Sequence, residues 1–245
     1  MKHLNYVRSY RNFCKPASGE TTYQVVIEQS DLFVTSRVNL KSEVLDRLNK
    51  IRQDIKGYIF LHPEFATSLN PIQENPDAPE IIKNMIRAGR IMDVGPMAAV
   101  AGAISQDIAD FAVRLSPDIL VENGGDIFIH STKDRVVGLL PHPDEPAVVG
   151  IKIDRGSTPC AICASSATIG HSLSLGNGDL VVVKSKSGAV ADAAATALCN
   201  IMKNKKSITK LNRLRNDLEK KGILGVLAQM GDNLSVWGDM ELTVL

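Results

Sequence analysis

The chain has 245 residues, 44% of them hydrophobic and 22% charged, with 28 Lys and Arg against 27 Asp and Glu for a net charge of +1. These proportions are those of an ordinary globular protein, which excludes disorder, a collagen-like repeat and a disulfide-stapled miniprotein. A near-neutral charge and only 4% aromatic residues leave no electrostatic or stacking basis for nucleic acid or an anionic membrane as a partner.

The N-terminal stretch Met1 to Gly19 mixes Lys2, Arg8, Arg11 and Lys15 with aromatics and has no continuous apolar run before Cys14. It reads as neither a secretory nor a lipoprotein signal. Thr22 to Ile27 and Asp31 to Ser36 read as two strands around a short turn. Asn39 stands as an N-cap for a helix over Leu40 to Ile55, where Val44, Leu45, Leu48, Ile51 and Ile55 recur at helical spacing. His62 to Pro79 holds four prolines and is predicted to be largely loop, a weak subdomain boundary in what is otherwise expected to be one domain over 1–245. Ile81 to Ala88 reads as a short amphipathic helix. Pro96 is placed to start another that runs to about Leu115, because the missing proline N–H is not needed in a first turn. Its small-residue run Gly95 to Ile104 is too short to cross a bilayer.

Asp118 to Ile129 reads strand, Asn123-Gly124-Gly125, strand, since Asn-Gly between β-rich runs is the strongest short hairpin signal. Further strands are predicted at Val136 to Leu140, Val148 to Ile153 and Leu180 to Ser185. Ala189 to Met202 reads as an Ala-rich helix, and Ile208 to Lys221 as a second, charged one stopped by Gly222. Gly225 to Met230 and Asn233 to Trp237 form a last hairpin, followed by a strand at Glu241 to Leu245. Hairpins and blocks of helix, without strict βαβ alternation, predict an α+β fold with a mostly antiparallel sheet. Four scattered cysteines (Cys14, Cys160, Cys163 and Cys199) in a chain of this length need no disulfides, so a cytoplasmic protein with reduced thiols is expected.

Several segments can carry chemistry. Asp192 and Thr196 are four residues apart, so on a helix they share a face and offer two hard oxygen donors, the type Mg²⁺ prefers. The simpler reading is an acid favoured by the helix dipole and a threonine in tight packing. Glu122 and Asp126 flank Asn123, Gly124 and Gly125, where glycines permit positive φ and close approach of a ligand, or else simply form a turn with solvated acids. Ser165, Ser166 and Thr168, with His171 after Gly170, form a hydroxyl-rich run able to nest a phosphate; His171 is a proton-transfer candidate, though a structural histidine is the plainer view. Ala99 to Gly102 lies near a helix N-terminus that can face an anion, or is merely a buried core helix. Cys160-x-x-Cys163 admits a dithiol or metal reading, but has no second pair at zinc spacing. The basic run from Lys203 to Arg215 reads as a solvated helix face.

Taken in order, VGPMAAVAGAI, ENGGDI, CASSATIGHSLSLG and ADAAATALCN resemble an uncharacterised prokaryotic family of the ApbE-like superfamily, from about Tyr58 to Trp237 and including HPEF at His62 to Phe65. The superfamily's FAD:protein FMN transferases, formerly called thiamine biosynthesis lipoproteins, split the FAD pyrophosphate with Mg²⁺ and place FMN on a threonine or serine of a target. The resemblance implies a T-fold-like antiparallel sheet with packed helices. It also implies Mg²⁺ on Asp192 and Thr196, and a ligand wall including Ala99 and Gly102 beside the Gly124-Gly125 turn. Two features depart from those relatives. Ala101-Gly102 stands where they carry Lys-Gly, and Ser172 to Gly176 stands where they carry Asp-Pro-x-Thr-Gly.

Two readings follow. One is a Mg²⁺-dependent ApbE-like transferase acting on FAD or another phosphorylated ligand, with a homodimer implied by T-fold relatives. The alternative is a non-catalytic protein that holds a nucleotide, flavin or pterin on the same scaffold. A dithiol protein using Cys160 and Cys163 is a third.

Overall fold

A computed structural model describes residue 11 and residues 16–139, 149–166, 180–204 and 207–245. Strands β1 (Thr21–Ile27) and β2 (Ser30–Ser36) form the first hairpin. Alternation in β2 buries Leu32 and Val34 and leaves Asp31 and Phe33 on the other side. Helix α1 (Lys41–Leu61) runs one and a half turns beyond the predicted end and buries Val44, Leu48, Ile51, Ile55 and Tyr58 along one stripe. Asn39 does act at its start, accepting the Lys41 N–H through Oδ1 at 3.0 Å. The proline-rich stretch is loop except for the single turn α2 (Glu64–Thr67). Helix α3 (Glu80–Met92) extends the predicted amphipathic segment at both ends. Pro96 opens a 3₁₀ turn, Pro96–Ala99, and α4 (Val100–Ala112) continues from it.

Strands β3 (Ile119–Asn123) and β4 (Asp126–His130) form the hairpin around Gly124 and Gly125. A second hairpin, β5 (Arg135–Leu139) and β6 (Val149–Ile153), leaves the main sheet. The chain returns as β7 (Cys160–Ser165), pairs with β8 (Leu180–Ser185) and enters α5 (Gly188–Ile201). The helix predicted over Ile208 to Lys221 is two: α6 (Ser207–Arg213) and α7 (Arg215–Lys220). The chain bends at Leu214, so that α6 packs on β9 (Ile223–Met230) and β10 (Asn233–Gly238) while α7 packs on β9. Gly222, at φ +86°, stops α7 as expected. The last strand is β11 (Glu241–Val244).

Among the described residues the main sheet has eight strands in the order β1-β2-β3-β4-β7-β8-β9-β10, every pairing antiparallel; a smaller sheet has the order β11-β6-β5. Helices α1, α4 and α5 cover one face of the main sheet, with α3 packed against them, over a core that includes Val34, Val121, Phe128, Ala161, Cys163 and Val183. The small sheet lies on the other face over Ile129, Ile151, Cys160, Ile162, Val182 and Leu227. This is the α+β, mostly antiparallel architecture expected from the sequence. Among the described residues, no helix is long and apolar enough to cross a membrane.

Candidate functional site

Because the main sheet is covered on both faces, strand parity sorts its side chains. Side chains alternate across a strand, and Val121, Phe128 and Ala161 face the helices. Asn123, Asp126, Cys163 and Ser165 therefore face the helices too, at the end of the sheet where β3 turns into β4. The turn is a two-residue one, with Asn123 paired to Asp126 and both glycines at positive φ (+72° and +107°). Only glycine adopts that pair of conformations without strain.

Above this end of the sheet, α4 and α5 cross on their glycines. A Cβ on Gly102 would lie 2.2 Å from the Gly188 carbonyl oxygen, and one on Gly188 would lie 2.3 Å from that of Gly102. The contact is backbone against backbone, so neither glycine can be enlarged without moving a helix. It brings Asp192, one turn into α5, to the first turn of α4. There its Oδ2 accepts the Gly102 N–H at 2.9 Å. The helix N-terminus that the sequence offered to an external anion is thus occupied by a carboxylate of the same chain.

Asp126 closes the site from the sheet. Its Oδ1 accepts the Ala164 N–H at 3.2 Å, and its carbonyl oxygen is 3.1 Å from Ser105 Oγ, which also lies 2.9 Å from the Ala101 carbonyl. Asn123 Nδ2 is 3.4 Å from that same Ala101 carbonyl, tying the hairpin to α4. Burial pushes the Asp192 carboxyl up to about 7, against the Gly102 and Ala101 N–H groups that favour its charged form. The Asp126 carboxyl is raised well above its ordinary range, first by burial and then by repulsion from Asp192; the Cys163 thiol and the Ala164 N–H oppose the rise. Neither carboxylate has an ion-pair partner among the described residues.

The remaining predicted positions fall out as follows. Thr196 is one turn beyond Asp192 on α5 and is buried. Ser165 is buried, and its Oγ has no hydrogen-bond partner among the described residues. Ser166 is buried beside it. Thr168 and His171 lie outside the described residues. Ala99 is fully buried in the helical core and Gly102 is spent on the helix crossing, so neither presents a side chain to the site.

Glu122 is placed differently from its expected role as a ligand-side acid. It shares parity with Leu120, on the sheet face away from the helices. Its Oε1 accepts the Gly125 N–H at 3.0 Å and its Oε2 takes the Arg11 guanidinium at 2.7 Å. Arg11, buried against Glu122, was given no role by sequence reasoning, because nothing local connects it to a residue 111 positions away.

Cys160 and Cys163 point to opposite faces of β7, Cys160 into the core under the small sheet and Cys163 into the core under the helices. Both are free and buried. Burial raises both thiols, that of Cys163 far above its ordinary value with the charges of Asp126 and Asp192 adding to the effect. The dithiol reading is overturned by strand parity, since residues three apart on a strand cannot meet.

No group of three or more His, Cys, Asp or Glu side chains among the described residues is arranged to hold a metal ion. Two concavities, of about 240 and 520 Å³, lie elsewhere. One is lined by Arg47, Asn84, Gln106 and Arg114, the other by Asn200, Lys203, Lys210 and Arg213; neither includes Asp126 or Asp192.

Comparison with known proteins bears on this site. Residues 13–227 match the family model described as AbpE bacteria. A UPF0280 protein of Methanococcus aeolicus is 42% identical over 187 residues, 74% of this chain and 75% of its own length. A UPF0280 protein of Methanobrevibacter smithii is 35% identical over 226 residues, 89% of this chain and 94% of its own. Among solved structures, the flavin transferase ApbE of Vibrio cholerae is similar with a TM-score of 0.57 at 13% identity, covering 89% of this chain and 96% of that one. At that identity the likeness shows a shared fold.

Proposed function

The chain belongs to the family described as AbpE bacteria, and from that membership and the geometry above we propose that it binds FAD or a related phosphorylated ligand with Mg²⁺ and acts as an FMN transferase. The observation that carries this reading is the pair Asp126 and Asp192, two buried carboxylates held on one side of the sheet with no cation against them among the described residues. Like charges in a dry site raise each other's pKa, and a bound divalent cation reverses that cost. The donor set is hard oxygen throughout: Asp192, Thr196 and Asp126. Mg²⁺ commonly takes one or two protein carboxylates and fills its shell with water and substrate phosphate, so the absence of a three-residue cluster does not count against it. The V. cholerae relative in fold is by its name a flavin transferase.

When bound, Mg²⁺ would neutralise charge on the pyrophosphate and on the departing phosphate. The chain's own residues do the rest. Asp192, held by the Gly102 N–H, fixes one side of the ion site; Thr196 adds a hydroxyl one turn along. Ser165 Oγ, buried and without a partner among the described residues, is free to donate to a phosphate oxygen. Gly124 and Gly125, with no Cβ, leave the hairpin backbone open to close approach. In the transfer, an acceptor hydroxyl oxygen bonds to the FMN phosphorus, the anhydride P–O bond breaks, AMP leaves, and the hydroxyl proton passes to a base.

The second reading, a protein that holds such a ligand without turnover, is favoured by one observation. Ala101 stands beside the site where the resemblance places a lysine, and no lysine among the described residues pairs with Asp126 or Asp192. Isothermal titration of FAD with Mg²⁺ and then with EDTA tests the common part: binding should require Mg²⁺, and Asp192→Ala should abolish that dependence. Retained Mg²⁺-dependent binding in Asp192→Ala would sink the metal assignment. Release of AMP from FAD separates transfer from binding alone.

A further inference from the structure

We infer that Arg11 is a positioning residue for this site, acting from the opposite face of the sheet through Glu122 on the turn that carries Asp126. The inference rests on the reading of Asp126 and Asp192 as the ligand side. Arg11 is 8% exposed. Its Nε and Nη2 both reach Glu122 Oε2, at 2.7 and 2.6 Å. Its Nη1 takes Asp31 Oδ1 at 2.6 Å, its Nη2 the Asp31 carbonyl at 2.8 Å, and its guanidinium lies 5.4 Å from the Phe33 ring centre. The residue is thereby fixed to β2 and β3 at once.

The other oxygen of Glu122 holds the Gly125 N–H. That amide is in the turn, outside the β3–β4 ladder and partly buried, and the Glu122 carboxylate is the acceptor it has there. Gly125 directly precedes Asp126. A chain of contacts therefore runs Arg11, Glu122, Gly125, Asp126 and crosses the sheet. Without Arg11, the buried Glu122 carboxylate would lose the guanidinium held at 2.7 and 2.6 Å, and it would re-form its contacts elsewhere or swing toward water. Either change weakens its hold on Gly125 and loosens the φ +107° conformation that sets Asp126.

A role through charge alone has the opposite sign. Arg11 is a cation on the far face of the same sheet, so removing it would tighten Mg²⁺ if only its field mattered. Positioning predicts weaker binding. In the 245-residue chain, Arg11→Met should speed hydrogen exchange at the Gly125 amide and weaken Mg²⁺ binding by about tenfold, the lower end of what loss of an outer-shell partner costs. The double variant Arg11→Met with Glu122→Gln should restore both, because an amide oxygen still accepts from Gly125 and the carboxylate that Arg11 offset is gone from position 122. Arg11→Lys, which keeps the charge but loses the fork, should show the same effects in smaller measure and serves if Arg11→Met does not fold. Unchanged exchange at Gly125, tighter Mg²⁺ or no recovery in the double variant overturns the inference. A wild-type chain that does not bind Mg²⁺ overturns the metal reading instead, and Gly125 exchange still reports on Arg11.

Discussion

Asp192 Oδ2 accepts the N–H of Gly102 at 2.9 Å, joining the second turn of α5 to the first turn of α4 across 90 residues of chain. One carboxylate thereby caps α4, faces Asp126 and sits beside Thr196. The crossing of Gly102 on Gly188 makes the contact possible, since any side chain at either position would push α5 away. The proposed metal site and the helix packing therefore rest on the same few atoms.

Gly102→Ala tests that dependence. The added Cβ would meet the Gly188 carbonyl at 2.2 Å, a backbone atom that cannot rotate aside. Overpacking of this kind costs about 1–3 kcal/mol or more, and Asp192 would lose its donor. A lower urea midpoint together with lost Mg²⁺ binding is expected. A wild-type midpoint would refute the close crossing.

The metal-free protein should lose stability as pH rises from about 4 to about 7. Burial lifts the carboxyls of Asp192 and Asp126 above their unfolded values. Across that window the folded state holds protons that the unfolded chain has released, so the stabilising contribution is full below the unfolded pKa and falls as pH climbs through the folded one. The slope approaches about 1.4 kcal/mol per pH unit for each such group. Mg²⁺ competes with those protons, so its affinity should rise over the same range. Urea midpoints in EDTA, measured from pH 4 to pH 8, check the sign. Asp192→Asn should flatten the curve.

Asp118 should behave in the opposite way. Burial pushes its carboxyl up, but the Thr132 N–H, the Arg37 guanidinium and the Thr132 hydroxyl outweigh burial and hold it at about 2. Its contribution is present above the ordinary carboxylate pKa and is lost as pH falls toward 2. Asp118→Asn should cost about 1–3 kcal/mol at neutral pH and remove part of the acid sensitivity in a pH-dependent unfolding series.

Lys184 and Asp239 give an asymmetric pair of variants. Lys184 is fully buried under the small sheet, with Nζ 2.7 Å from Asp239 Oδ2 in a charge contact that lacks hydrogen-bond alignment. Asp239 sits between β10 and β11 and is about half exposed. Asp239→Ala strands a buried ammonium and should cost about 3 kcal/mol, whereas Lys184→Met removes charge and burial cost together and should stay within about 1 kcal/mol of wild type. Equal losses in thermal unfolding would contradict this account.

Some of this was legible along the chain. Alternation and Asn-Gly-Gly predicted the β3–β4 hairpin, and the four-residue spacing put Asp192 and Thr196 on one helix face, because both features depend only on neighbours. Strand β7 was not recognised. It is buried on both faces, so CAICAS has no two-residue alternation, and its Ser165 reads as chemistry. The bend at Leu214 was equally hidden, since the helical periodicity continues through it.

The sequence by itself determined the α+β class, the hairpins and the residue types of an oxygen-donor site, all of which follow from local periodicity and turn chemistry. Only the tertiary structure decided which of those residues meet. Strand parity sent Glu122 to one face and Asp126 to the other, and separated Cys160 from Cys163. The glycine crossing brought Asp192 to α4, and an arginine 111 residues upstream was laid against Glu122. These are contacts between segments far apart in the chain, set by how two layers pack, and no window of sequence contains both partners.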